Sequence, residues 1–154
     1  MSGKDEVMQG TVKTISEALA LEAIYKNVKM GVDGIINLLP YVRESNLRSA
    51  MTLQLDGYEK YAAIARASLE GEGAVVKDAL GERLVAKMGA AWRGMLGITR
   101  TELAKTLIEG SNACITEMTF LLNHMEKGKG EGARLARELI LFEAQNVEAL
   151  KKYL

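Results

Sequence analysis

The sequence predicts an all-α protein, an antiparallel four-helix bundle made of two helical hairpins. The 154 residues include a single proline, and the abundant Ala, Leu, Met, Glu and Lys all favour helix. Apolar residues recur every three or four positions through four long stretches, which is the spacing of helices buried on one side. A chain of this length usually forms one domain. We therefore expect residues 1–154 to form one bundle, with a loose N-terminal segment at 1–13.

The first two helices are expected to form the first hairpin. The first begins at TISE, residues 14–17, which has the spacing of a capping box, and Pro40 ends it. The second begins with Ser45 or Asn46 as its N-cap and ends at the glycines of 71–73. Because the connection is short, the two helices are expected to be antiparallel. The predicted core positions are Leu21, Tyr25, Val28, Val32, Ile35, Ile36 and Leu39 in the first helix, and Leu47, Met51, Gln54, Tyr58, Tyr61, Ala62, Ala65 and Leu69 in the second.

A long crossover then leads to the second hairpin. Residues 74–98 are interrupted by glycines and predict a short extra helix that carries Trp92. A second capping box, TRTE at 99–102, begins the third helix, which ends at the KGKGEG loop of 127–132. The fourth helix runs from about Ala133 to the last residue. The predicted core positions of the third helix are Leu103, Leu107, Ser111, Cys114, Ile115, Met118, Leu121 and Met125.

The fourth helix carries polar residues on its apolar side. At about 100° per residue, Glu143 lies beside a stripe that also includes Asn146. An unpaired carboxylate in a low-dielectric core costs several kcal/mol, so Glu143 must be paired, protonated or coordinated. The stripe consists of Leu139, Phe142, Asn146, Leu150 and Tyr153. This arrangement predicts an internal polar site.

The two hairpins also resemble each other. GVDGII at 31–36 aligns with GSNACI at 110–115, and LQLDGYE at 53–59 aligns with FEAQNVE at 142–148. The interior pairs are Val32 with Ser111, Gln54 with Glu143, and Gly57 with Asn146. These pairs predict one layer of the bundle, in which Gln54, Ser111, Glu143 and Asn146 are hydrogen-bonded and Tyr25 or Tyr58 donates to the Glu143 carboxylate.

In this layout the chain resembles the ferritin-like and rubrerythrin-like bundles over residues 14–154. In that family one helix of each hairpin carries a Glu and the other carries a Glu-x-x-His motif. Val32 and Ser111 stand at the single Glu positions, and residues 54–57 and 143–146 stand at the two motifs. Of these ligand positions, Glu143 alone keeps a carboxylate. The resemblance implies a ferritin-like fold of a bacterial branch in which the di-iron ligands are mostly lost.

The missing ligands determine which cofactor the sequence predicts. Two iron ions need several carboxylates to offset their charge, and Glu143 supplies one. His124 lies about three and a half turns beyond Ser111, and Glu109 projects about 130° to 160° away from Ser111 on the helix. We therefore expect no cofactor. If one is bound, a single iron, manganese or zinc ion is expected, with Glu143 and Glu109 as the remaining candidate ligands.

Composition narrows the classes of partner. The charges of twenty basic and twenty acidic residues cancel, so no net charge of the protein attracts it to nucleic acid. The lone Cys114 excludes an internal disulfide, and no apolar stretch is long enough for a membrane span or a signal peptide. We expect a cytoplasmic protein that forms a homo-oligomer, a dimer through exposed helix faces and the crossover.

Two hypotheses for function remain. The first is a non-catalytic bundle with a structural, interaction or small-ligand-binding role. The second is a metal-binding oxidoreductase or storage-type protein with a reduced ligand set around Glu143. Helix-interior glycines at 31, 34, 57 and 110 suggest close helix approach or space kept beside the polar layer. At Gly57 the missing side chain predicts a void next to Asn146 that water or a small ligand can fill.

Overall fold

The computed structural model describes residues 14–74, 99–126 and 129–154. They form four α-helices, α1 (Glu17–Leu38), α2 (Ser45–Gly71), α3 (Arg100–His124) and α4 (Glu131–Lys151), with a 3₁₀ turn at Leu39–Tyr41. These ranges contain no β-strand beyond one isolated bridge, so the all-α prediction is confirmed. The predicted crossover helix with Trp92 and the N-terminal segment 1–13 lie outside the described residues.

The four helices bury their predicted sides in one shared core. Within it, α1 packs on α2 and α3 packs on α4, while α4 also contacts α1 and α2. One predicted core residue is wrong: Ile36 is 51 % exposed, whereas Leu38 is buried. Ile36 lies a full 100° step beyond Ile35 and so leaves the buried stripe, to which Leu38 returns after three residues. Leu39, Ala62 and Ile115 are half-buried at its edge. None of the helices described has an apolar stretch long enough to cross a bilayer.

The start of α1 differs from the predicted capping box at 14–17. Ser16 is the N-cap, and its hydroxyl accepts a hydrogen bond from the Leu19 amide at 3.2 Å. The preceding residue, Ile15, instead donates its amide to the carbonyl of His124 at 2.7 Å, beside the end of α3. Ile15 is therefore held against the end of α3, outside the first turn of α1.

Glu17 also has a different partner from the one a capping box requires. Its carboxylate accepts the amide of Gly132 at 3.1 and 3.0 Å and so caps the first turn of α4. A Cβ at Gly132 would lie 2.7 Å from the Glu17 carboxylate, which explains the glycine. The helix α4 begins at Glu131, two residues before the predicted start, with Gly130 as its N-cap at φ 100°. The first residues of α1 and α4 thus meet at one end of the bundle.

The first residues of α2 and α3 meet at the opposite end. Glu44 is the N-cap of α2, so the prediction of Ser45 or Asn46 in that role is wrong. The carboxylate of Glu44 pairs with Arg100 at 3.0 Å, while Arg48 donates to two carbonyls of the turn before α2. These contacts hold the turn in place, and no side chain caps α2. At the start of α3 the predicted cap is confirmed, since the Thr99 hydroxyl accepts the amide of residue 102 at 3.2 Å.

Candidate binding site around Glu143

Glu143 lies in the fourth turn of α4 and is 1 % exposed. Its carboxylate is surrounded by hydrogen-bond donors from three helices. Tyr58 of α2 donates its hydroxyl to Oε1 at 2.8 Å and to Oε2 at 2.9 Å. Ser111 of α3 and Asn146 of α4 donate to Oε1 at 3.0 and 2.8 Å. Four of the residues predicted for the site are therefore brought together here.

The position of Tyr58 depends on a glycine of α1. A Cβ at Gly31 would lie 2.8 Å from the Tyr58 ring, so the ring lies directly against the backbone of α1. In this position the hydroxyl of Tyr58 reaches Glu143. Tyr25, the alternative donor proposed from sequence, is buried in α1, and the hydroxyl at Glu143 is that of Tyr58.

The predicted void at Gly57 is filled by an aromatic ring. A Cβ at Gly57 would lie 2.2 Å from the Phe142 ring. Phe142 packs edge-on against Tyr58 and Tyr61, with ring centroids 5.4 and 5.5 Å apart. Phe142 lies one residue before Glu143 and points toward α2, so its ring occupies the space that the missing side chain leaves. The space beside Gly57 is thus part of the packed core, and the prediction of a void at this glycine is wrong.

A groove lies between α2 and α4, lined in part by Gln54 and Asn146, and open space also lies between α1 and α3. A cleft of about 170 Å³ is bounded by these two helices, with Gln54, Tyr58 and Glu143 at its base. Its walls are mainly apolar and include three of the helix-interior glycines. These wall residues include Met30, Gly31, Gly34, Ile35, Leu107 and Gly110. No lysine, arginine or histidine belongs to the described lining.

Gln54 is a polar residue of this cleft whose amide nitrogen lacks a partner. The side chain is 2 % exposed, and Nε2 forms no hydrogen bond with any part of the chain that the structure describes. Gln54 was predicted to be hydrogen-bonded within the polar layer, and for its Nε2 atom this prediction is wrong. A buried donor left unpaired costs about 1–3 kcal/mol. The position calls for an acceptor that residues 14–74, 99–126 and 129–154 do not supply.

Burial dominates the electrostatics of the site. It raises the pKa of Glu143 above the ordinary value of 4.5, against the opposing hydrogen bonds from Asn146, Tyr58 and Ser111. Burial, followed by the charge of Glu143, also raises the pKa of the Tyr58 hydroxyl and of the Cys114 thiol. Among the described residues no cation pairs with Glu143. Tyr58 and Cys114 are consequently neutral at physiological pH, and Cys114 is not an activated nucleophile.

The remaining candidate ligands lie elsewhere. Glu109 is exposed on α3 and is not part of the cleft lining. His124 donates Nδ1–H to the carbonyl of Phe120 at 2.8 Å, at the end of α3. Residues 14–74, 99–126 and 129–154 contain no group of three or more His, Cys, Asp or Glu placed to hold a metal ion. Glu143 and Glu109 thus do not form a shared ligand set.

Sequence reasoning missed Cys114 as a residue of the cleft. Cys114 follows Ser111 by three positions on the same side of α3, and both line the cleft. That spacing was the available signal, because residues three apart on a helix lie next to each other.

Comparison of the chain with protein-family models, with curated proteins and with solved structures gives no match. The site is therefore interpreted from its own contacts.

Proposed function

We propose that this protein is a non-catalytic ferritin-like bundle that binds a small molecule in the cleft beside Glu143. One observation carries the proposal. The unpaired amide nitrogen of Gln54 and the carboxylate of Glu143 line the same cleft, and each is almost completely buried. A buried donor and a buried acceptor at the base of an apolar cavity are typical of a small-molecule site.

The helix ends support the ferritin-like topology within this proposal. Glu17 joins the first turns of α1 and α4, and Glu44 joins the starts of α2 and α3 through Arg100. Helices that begin at the same end run in the same direction, so α1 is parallel to α4 and α2 is parallel to α3. Two hairpins in this arrangement need a long connection from the end of α2 to the start of α3, as in ferritin-like bundles.

The chemistry of the polar layer supports a role without catalysis. Around Glu143, hydroxyl and amide groups occupy the places where a metal site would need further carboxylates or imidazoles. These groups present hydrogen atoms to the carboxylate, which uses its lone pairs as hydrogen-bond acceptors. The thiol of Cys114 stays protonated because its pKa is raised, and a protonated thiol is a weak nucleophile.

Metal analysis tests this proposal against a metal-binding oxidoreductase. Untagged protein is expressed with added iron, manganese and zinc and measured by inductively coupled plasma mass spectrometry, beside a Glu143→Gln variant. We expect far less than one equivalent of any of these metals in both proteins. Metal near one or two equivalents in the wild type, lost in a folded Glu143→Gln variant, would replace the proposal with the metal-dependent alternative. An exposed control, Glu109→Gln, should leave the metal content unchanged.

A further inference from the structure

We propose that the cleft between α1 and α3 takes a small neutral carboxamide, a molecule whose one polar group offers both a carbonyl acceptor and an N–H donor. This inference rests on the proposed function and names the chemical class of its ligand. It follows from three properties of the cleft: a donor unpaired within the described residues, an incompletely used acceptor, and a described lining without basic residues.

The amide nitrogen of Gln54 needs a hydrogen-bond acceptor, which the carbonyl oxygen of the ligand supplies. Its Nε2 carries two N–H groups, is buried, and has no acceptor within the described protein. Tyr58 and Ser111 donate their hydroxyl hydrogens to Glu143, and neither of their oxygens accepts a hydrogen bond from Nε2. A carbonyl oxygen in the cleft would pair the Gln54 amide and relieve the cost of its burial.

The Glu143 carboxylate can accept a further hydrogen bond, which the N–H group of the ligand supplies. Ser111 and Asn146 donate to Oε1, and the single hydroxyl hydrogen of Tyr58 is shared between Oε1 and Oε2. The thiol of Cys114, a weak donor, also faces the carboxylate. A carboxylate oxygen has two lone pairs, so Oε2 keeps an acceptor position. The amide N–H of a ligand whose carbonyl is bound at Gln54 can occupy this position. A single carboxamide group thus gives Gln54 an acceptor and Glu143 a further donor.

The charge of the lining favours a neutral molecule over charged analogues of the same shape. A carboxylate ligand would enter beside Glu143 without any lysine, arginine or histidine in the described lining to offset its charge. An ammonium ligand offers donors alone and would leave the Gln54 amide unpaired. The carboxamide is the one of these three that satisfies Gln54 and Glu143 together.

The walls and the volume limit the rest of the molecule. Met30, Ile35 and Leu107 provide apolar surface, so the tail of the ligand is a short hydrocarbon. An apolar protein cavity of about 150 Å³ accepts benzene, and this cleft measures about 170 Å³. Isobutyramide, with a branched three-carbon tail, is of this size.

The test is a titration of the full-length protein followed by ¹H–¹⁵N NMR at pH 7. The probes are isobutyramide and its two charged isosteres, isobutyrate and isobutylamine. The side-chain NH₂ signals of Gln54 are assigned by their absence in a Gln54→Met variant, which keeps the side-chain length and removes the donor. We expect isobutyramide to shift these signals and the Gly31 and Gly110 amides saturably, with a Kd at least tenfold lower than that of either isostere.

Variants separate a specific site from general contact. Gln54→Met and Glu143→Gln should each weaken isobutyramide binding at least tenfold, while the exposed control Glu109→Gln leaves it unchanged. If Glu143→Gln does not fold, Gln54→Met alone decides. Unchanged binding in a folded Gln54→Met variant would overturn the inference.

The failure of this inference is distinguishable from the failure of the proposed function. Tighter binding of isobutylamine or isobutyrate at the same signals would overturn the carboxamide class and leave a small-molecule site standing. Shifts confined to residues outside the cleft, or no saturable shift with any of the three probes, would contradict both.

Discussion

The hydroxyl of Tyr58 donates to both oxygens of the Glu143 carboxylate, at 2.8 and 2.9 Å, and connects α2 to α4 inside the core. Because the carboxylate is buried and has no described cation partner, this contact is one of the three that keep it in the core.

Replacing Tyr58 with Phe should lower the free energy of unfolding by about 1–3 kcal/mol, the cost of withdrawing a partner from a buried polar group. The ring remains against Gly31, so the packing is preserved. Urea denaturation followed by circular dichroism measures the change. The control is Tyr41→Phe, since Tyr41 is 62 % exposed, and it should change stability by less than about 0.5 kcal/mol. Equal effects of the two substitutions would contradict the role given to the Tyr58 hydroxyl.

The aligned glycines Gly31 and Gly110 should respond oppositely to alanine. A Cβ at Gly31 would lie 2.8 Å from the Tyr58 ring, whereas a Cβ at Gly110 meets nothing within 4 Å. Gly110→Ala should therefore stabilise the protein by about 0.5–1 kcal/mol through helix propensity. Gly31→Ala should destabilise it by about 1–3 kcal/mol through overpacking. Thermal unfolding of both variants checks this, and a stabilised Gly31→Ala would refute the close contact.

The pKa of Glu143 predicts how its contribution to stability varies with pH. Burial raises this pKa in the folded protein above the ordinary value of 4.5, so the folded state holds the proton more tightly than the unfolded state. The stabilising effect of that proton is fully present below pH 4.5 and is lost as the pH rises through the folded pKa. Tyr58 and Cys114, the other titratable groups facing Glu143, stay neutral in this range because their own pKa values are raised.

Comparison with Glu143→Gln isolates the pH-dependent contribution of Glu143 to stability, since the other carboxyl groups are common to both proteins. The stability of the wild type relative to the variant should fall as the pH is raised from 4 toward neutrality. Urea denaturation of the two proteins across this range measures the difference. A difference that grows with pH would mean that the carboxylate is net stabilised in the folded state, the reverse of the direction stated here.

The buried thiol of Cys114 should react slowly. Disulfide exchange requires the thiolate, and burial together with the nearby Glu143 raises the pKa of this thiol. With Ellman's reagent at pH 8, we expect the folded protein to react on the order of a hundredfold more slowly than the urea-unfolded chain. Because Cys114 is the only cysteine, the signal is unambiguous. Reaction at the unfolded rate under native conditions would show an accessible thiolate.

Helix periodicity predicted the buried stripe and the gathering of the polar residues. Ser111, Glu143 and Asn146 share a layer because their positions on the buried sides of α3 and α4 follow from the 100° step of a helix. The error at Ile36 arose at the helix end, where the stripe continues through Leu38.

Contacts between segments distant in sequence could not be predicted in the same way. Glu17 satisfies the local pattern of a capping box, but its carboxylate bonds the amide of Gly132 in another helix. Likewise, Gly57 suggested an empty space because its sequence context does not reveal that Phe142 points into it. The cleft between α1 and α3 depends on the spacing of two helices, which periodicity within each helix does not determine.

The hydrogen bond between Glu17 and Gly132 has a consequence for the order of folding. It joins residues 115 positions apart, whereas the contacts within each hairpin close much shorter loops. The entropy lost on closing a loop grows with its length, and distant contacts form more slowly. We therefore expect each hairpin to assemble first and the first turns of α1 and α4 to dock in a later step. Removing the Glu17 carboxylate should then speed unfolding more than it slows refolding.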